Sequence, residues 1–146
     1  MDIRFTKRQY EVLMKPVHLG NWVVNGYRVD DFDEETDALE NYVYGKARDF
    51  GLGDLVFYDD ELDGWYPTNE TEDNWLASLD DFKNDVFWDE LEYRLADRDL
   101  TVRFGEDYAE DMKPEERGRL ERELVDRYFD EFVKNGVKNL VLVHPS

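Results

Sequence analysis

The stretch HLGNWVVNGYR, residues 18 to 28, holds the most directed set of polar side chains in the chain. On a helix, His18, Asn21, Asn25 and Arg28 follow one another at intervals of three, four and three residues, which puts them on one face, while Val17, Trp22, Val24 and Tyr27 cover others. A polar stripe on an otherwise apolar helix must find partners when it is buried. Two arrangements meet that need. One is a cleft in which the stripe holds a small ligand, with Arg28 anchoring an acidic group. The other is a structural network in which Arg28 pairs with Asp30, Asp31 or another acid.

A second constellation is DDELDGWYPTNE, residues 59 to 70. Asp59, Glu61, Asp63, Gly64 and Glu70 occupy the first, third, fifth, sixth and twelfth positions of a helix-loop-helix calcium loop. The context argues for an acidic turn instead. The preceding GLGDLVFY carries two glycines and no helical face, so the entering helix is missing. Tyr66 stands where a small aliphatic residue joins paired loops, and Pro67 follows without a backbone donor. With 37 acidic residues among 146, matches of this kind arise by chance. Asp59, Glu61, Asp63 and Glu70 are the only metal ligands the spacing offers, and the expectation is no resident metal.

Other chemistries lack their reagents. Nucleophilic hydrolysis needs a hydroxyl or thiol served by a positioned base. The chain has no cysteine, only Ser78 and Ser146, and only His18 and His144, so the second member of each pair lies in the C-terminal tail. The GLG at 51 to 53 lacks both the lysine of a phosphate loop and the dinucleotide spacing. Carboxylates are so abundant that no pair stands out for acid-base work. The expectation is a non-enzymatic protein without a cofactor.

The net charge of −19 is unevenly placed. Residues 1 to 29 hold five basic and two acidic side chains, residues 30 to 99 hold five and 24, and residues 100 to 146 hold eight and 11. The middle segment alone equals the whole imbalance. Such a field disfavours nucleic acid or an anionic membrane as a direct partner. It suits a basic protein surface, with Asp30, Asp31, Asp59, Asp60, Glu61 and Asp63 as the leading docking groups. A special case is a protein that imitates nucleic-acid phosphates and fills the groove of a DNA- or RNA-handling protein. A solvated, solubilising coat is the bland alternative.

These groups must be positioned by a folded scaffold. The length is that of one domain, and the four Trp, nine Tyr and nine Phe supply a core that disordered acidic chains lack. The start MDIRFTKRQYEVLMK has no apolar signal core, and no apolar run approaches the roughly 18 residues of a membrane span, so a cytoplasmic protein is expected. Residues 2 to 5 read as a short strand. Thr6 caps a helix with Tyr10, Leu13, Met14 and Val17 on one face, continuing through the polar stripe. Asp33 caps a second helix burying Leu39, Tyr42, Val43, Ala47 and Phe50, ended by Gly51. LVFY, an Asp-Gly turn and WY form a hairpin. Thr71 and Asp85 open two short helices, LTVRF at 100 to 104 alternates like a strand, and Pro114 starts a helix that buries Leu120, Leu124, Val125, Tyr128 and Phe132. On its outer face Glu115 and Glu123 are spaced to pair with Arg119 and Arg127. VKNLVLV, residues 137 to 143, reads as a buried strand. The sum is a mainly helical α+β domain, residues 1 to 146, with a small sheet or hairpin.

The segments LGNWVVNGYR and FWDELEYRLADRDL, the latter followed by PEER, resemble those of small acidic bacterial proteins of about this length whose function is not known. The resemblance runs through most of the chain. It implies a bacterial, stand-alone soluble protein, and it carries over no catalytic or binding residue.

Overall fold

The computed structural model describes residues 2 to 141. The architecture is mainly helical α+β with one two-stranded antiparallel hairpin. In order come α1 (Lys7–Asn25), α2 (Glu34–Gly45), two short 3-10 turns, β1 (Val56–Asp59), β2 (Gly64–Pro67), α3 (Asn69–Phe104), α4 (Tyr108–Asp111), α5 (Pro114–Asn135) and a last 3-10 turn (Gly136–Asn139). The chain divides into two compact units, Met1–Asp81 and Phe82–Ser146. Among the described residues no helix is long and apolar enough to cross a membrane.

In the first unit α1 begins where the sequence requires. Thr6 Oγ1 accepts the Gln9 backbone N–H at 3.3 Å, and Gln9 Oε1 accepts that of Thr6 at 2.9 Å, a reciprocal cap for two otherwise orphaned donors. Pro16 is tolerated because its missing N–H falls on the exposed face. Tyr10 and Met14 are buried with Val43, Tyr44, Ala47, Leu52, Val56 and Trp75, and Leu13, Val17, Phe50, Leu55 and Trp65 pack around them. Each fully buried large apolar side chain contributes about 1.5–3 kcal/mol. Tyr10 stacks on Phe50 with centroids 3.9 Å apart, while its hydroxyl donates to Val43 O at 2.9 Å.

Asp33 caps α2 through Thr36 N at 2.9 Å, and the resulting hydrogen bond holds its carboxyl below the usual range. The buried side of α2 differs from the expected one. Val43 and Ala47 are inside, but Leu39 and Tyr42 are exposed, and Tyr44 takes the central place at 1% exposure. The reason is the polar pairing with α1: the face of α2 that carries Asp37, Glu40 and Tyr44 turns inward to meet Asn21, His18 and Trp75, and Leu39 and Tyr42 fall outside it. Helix α2 stops at Gly45, and a 3-10 turn over Ala47–Phe50 follows. Gly51 ends that turn at φ 68°, a left-handed conformation costly for any residue with a Cβ.

The hairpin forms as expected, pairing Val56 with Pro67, Phe57 with Tyr66, Tyr58 with Trp65 and Asp59 with Gly64. Cross-strand aromatic pairs, Tyr58 on Trp65 at 5.4 Å and Phe57 on Tyr66 at 6.2 Å, fix its register. No strand forms at residues 2 to 5, which have no regular structure.

Three expectations between 69 and 104 are overturned together. Two short helices and the strand LTVRF are one 36-residue helix, α3. No glycine or proline interrupts residues 69 to 104, so an established helix propagates through Thr101 and Val102 despite their β preference. It stops at Gly105, φ 98°. Its start is served by Thr68, whose hydroxyl accepts Thr71 N at 3.4 Å, and Thr71 lies buried inside the first turn.

In the second unit Ala96, Leu100, Tyr108 and Phe132 are buried. Phe132 sits 5.4 Å from Trp88 and is stacked 5.9 Å from Tyr128. Leu120, Leu124, Val125 and Tyr128 are half-buried. The outer ion pairs of α5 are re-partnered: Arg119 binds Glu123 at 2.9 Å, and Arg127 binds Asp99 at 2.9 Å. Asp99 also takes the Tyr128 hydroxyl, an interaction the sequence spacing does not reveal. VKNLVLV does not begin as a strand. Residues 137 to 139 complete a 3-10 turn, with Asn139 and Asn135 both donating to Glu131. Residues 142 and 143 lie outside the described residues, as do His144 and Ser146.

Candidate functional site

The polar stripe of α1 meets a second stripe on α2. Asp33, Asp37, Glu40 and Tyr44 follow one another at intervals of four, three and four, on the face that receives Asn25, Asn21 and His18 in reverse order. Asn25 exchanges hydrogen bonds with the backbone of Asp33, and its Nδ2 also donates to Asn21 Oδ1 at 2.7 Å. Asn21 Nδ2 donates to Glu40 Oε2 at 2.5 Å and to Asp37 Oδ1 at 3.2 Å. His18 Nδ1 lies 2.8 Å from Glu40 Oε1 and 2.9 Å from the Tyr44 hydroxyl, which itself donates to Glu40 Oε1 at 2.7 Å.

This geometry assigns the ring. The ionised Glu40 carboxylate only accepts, and the single Tyr44 proton goes to it, so Nδ1 of His18 carries a hydrogen. Burial first, and then the Glu40 charge, push the Tyr44 hydroxyl far above its ordinary range, which keeps it a donor. In the neutral ring Nε2 then presents a lone pair. That nitrogen is buried, has no hydrogen-bond partner, and faces Glu72 Oε1 at 3.9 Å. The residue as a whole is 4% exposed.

Beside it opens a cavity of about 240 Å³. Three carboxylates line it, Asp37, Glu40 and Glu72, together with His18, Asn21 and Asn25. Trp22, Phe32, Tyr44 and Tyr66 supply aromatic surface. No lysine, arginine, serine, threonine or cysteine is among the lining residues. The site can therefore accept hydrogen bonds and hold positive charge, but it contains no hydroxyl or thiol nucleophile of the hydrolytic kind.

Arg28 is not part of it. Helix α1 ends at Asn25, so Arg28 leaves the stripe and folds back, donating to Asp31 O at 2.8 Å with Asp31 Oδ2 at 3.6 Å. Its Nε is buried without a partner. The structural pairing considered for Arg28 is thus present, and its role as anchor of the cleft is not. Asp30 is exposed and takes no part in that pairing.

The 59 to 70 segment is a hairpin turn followed by the start of α3. Asp59 Oδ1 accepts the backbone N–H groups of Glu61 and Leu62 at 2.9 and 3.0 Å, and Asp63 takes the Tyr58 hydroxyl at φ 50°. Glu70 sits in the first turn of α3. The segment before the loop is β1, not a helix. Among the described residues no group of three or more His, Asp or Glu could hold a metal ion. Asp60, Glu61 and Asp63 are exposed, Asp59 is half-buried, and none of the four has an ion-pair partner among the described residues.

A wider hollow of about 470 Å³ lies in the second unit, lined by Asp99, Leu100, Val102, Arg103, Leu120, Glu123, Leu124 and Arg127. Asp99 is occupied by Arg98 and Arg127, and Glu123 by Arg119. That leaves less unmet demand than beside His18. The cluster around His18 combines a buried ring nitrogen that has no hydrogen-bond partner with a cavity, and sequence reasoning reached only its α1 half. The spacing of Asp37, Glu40 and Tyr44 is the signal that points to the other half.

No family model matches the chain, and neither a curated protein nor a solved structure matches it significantly.

Proposed function

We propose that the chain is a non-enzymatic interaction module that docks onto a basic protein surface through residues 30 to 99. The observation that carries this reading is the uncompensated charge of the hairpin turn. Asp59, Asp60, Glu61 and Asp63 sit together on a short, register-fixed hairpin, with no cation paired to them among the described residues. Carboxylates held on a rigid turn lose little further entropy on meeting a basic surface, and their field speeds encounter. A merely solubilising coat has no need of such fixed placement.

The test is retention of basic proteins from a cell lysate on the immobilised chain, eluted by a salt gradient, beside a variant carrying D59N, D60N, E61Q and D63N. A defined basic protein retained by the wild type, released at moderate salt and lost with the variant supports docking. Displacement of the chain by that protein's own nucleic acid would make the interaction a case of phosphate mimicry. Equal retention by both chains, or none by either, overturns the reading.

A further inference from the structure

We infer that the cavity beside His18 is the seat of one arginine side chain supplied by the basic partner. The inference rests on the docking reading above and adds the chemistry of its anchor. Four observations converge on a guanidinium. The cavity, about 240 Å³, is smaller than the roughly 300–1,000 Å³ of a site for a drug-sized ligand, so it suits a single side chain. Its lining carries three carboxylates and no cation, which selects a positive group. Exposed faces of Trp22 and Phe32 at its rim, with Tyr66 beside them, suit a flat cation that stacks.

The fourth observation discriminates among cations. His18 Nε2 is buried without a hydrogen-bond partner, and Glu72 Oε1, an acceptor, lies 3.9 Å from it. One planar fork of N–H donors reaches both atoms together, and it selects the form of the ring in which Nδ1 carries the hydrogen and Nε2 the lone pair. A quaternary ammonium has no such donor, and a lysine ammonium presents its hydrogens on one compact, strongly hydrated atom. Guanidinium alone combines several in-plane donors with a face for the aromatic rim. Glu72, at the end of α3 nearest the cavity and 40% exposed in its side chain, is the group that closes on the ligand. Glu40 is held by His18, Asn21 and Tyr44 and so serves as a fixed background charge.

The experiment titrates the full chain with acetyl-Gly-Arg-Gly-amide, its lysine counterpart and its citrulline counterpart, following the His18 ring and Trp22 indole resonances. Saturable shifts are expected with arginine, with binding about fivefold or more weaker for lysine and none measurable for citrulline, which keeps the shape but loses the charge. Glu72→Gln, checked for an unchanged amide spectrum, is expected to weaken arginine binding about tenfold. Trp22→Ala, altering an exposed rim residue, weakens it through lost stacking. Equal binding of arginine and lysine, or arginine shifts indifferent to both variants, overturns the inference. The hairpin variant used above separates the two ideas. Hairpin-dependent capture without arginine binding overturns the cavity assignment alone. Arginine binding without hairpin-dependent capture supports the cavity and overturns the docking reading.

Discussion

The side chain of Asn25 and the backbone of Asp33 exchange two hydrogen bonds, Nδ2 to Asp33 O at 3.0 Å and Asp33 N to Oδ1 at 2.8 Å. One amide side chain thereby replaces a missing strand partner and ties the end of α1 to the cap of α2. Asn25→Ala leaves both Asp33 groups without these partners in a half-buried loop, and a loss of about 2–3 kcal/mol is expected. Asn25→Asp fails too, because its carboxylate cannot donate to Asp33 O. Urea unfolding of the three chains, followed by circular dichroism, checks both.

That link also shows what sequence spacing can and cannot reach. Thr6, Asp33, Gly51 and the Asp63-Gly64 turn were legible because each acts on backbone within a few residues of itself. The continuity of α3 was not, since DDFKND interrupts the apolar pattern without interrupting the helix. Packing decides which face is buried, while the backbone of α3 meets no glycine or proline until Gly105, where it stops. The α1 half of the site was legible as a stripe. Its partners Glu40 and Tyr44 lie 22 and 26 residues from His18. The spacing of Asp37, Glu40 and Tyr44 puts them on one face of α2, but among so many equivalent carboxylates nothing in the sequence pairs that face with this stripe.

Tyr44 makes the alkaline limb of stability informative. Its hydroxyl titrates above the ordinary value of 10.0, because burial and the Glu40 charge disfavour the phenolate. As pH rises through that ordinary value the unfolded chain releases a proton that the folded chain keeps, so stability falls with pH above it. Tyr44→Phe removes this part of the alkaline loss. At neutral pH the same variant costs about 1 kcal/mol for the lost hydrogen bond. Unfolding midpoints across the alkaline range separate the two effects.

Glu92 is 5% exposed, and burial first, then the charge of Asp89, raise its carboxyl above the ordinary 4.5. A raised folded value means that the stabilising protonated form is lost as pH rises, so the folded state weakens between the ordinary value and the raised one. Glu92→Gln keeps the shape without the charge. It is expected to raise the thermal midpoint at neutral pH and leave it nearly unchanged in acid, where the wild-type carboxyl is protonated in both states. A lower midpoint at neutral pH would show that Glu92 has a partner its surroundings do not reveal.

Gly26 lies against the Trp22 ring. A Cβ at this position would stand 2.7 Å from Trp22 Cε3 and 2.5 Å from Trp22 O, so either the ring or the helix end must move. Gly26→Ala is expected to cost about 1–3 kcal/mol by overpacking and to shift the Trp22 indole resonance. Because Trp22 and Gly26 both line the cavity, the same variant should weaken arginine-peptide binding while leaving hairpin-dependent docking in place.

Asp99 gives the opposite pH dependence to Glu92 and tests the second unit. Burial works against its charge, but hydrogen bonds from Tyr128 and Arg98, with the charges of Arg98 and Arg127, hold the carboxyl below its ordinary 3.8. A depressed folded value contributes stability that is present above the ordinary value and is lost as pH falls through the folded one. Asp99→Asn keeps a side chain of the same size but removes the charge that three groups converge on. At neutral pH it is expected to destabilise by about 1–2 kcal/mol, more than a lone surface pair, since a tyrosine hydroxyl and two guanidinium groups lose one acceptor together. Below the carboxylate range the wild type is protonated as well, and its urea midpoint should converge on that of the variant. A gap that persists in acid would assign the contribution to packing of the side chain and not to its charge.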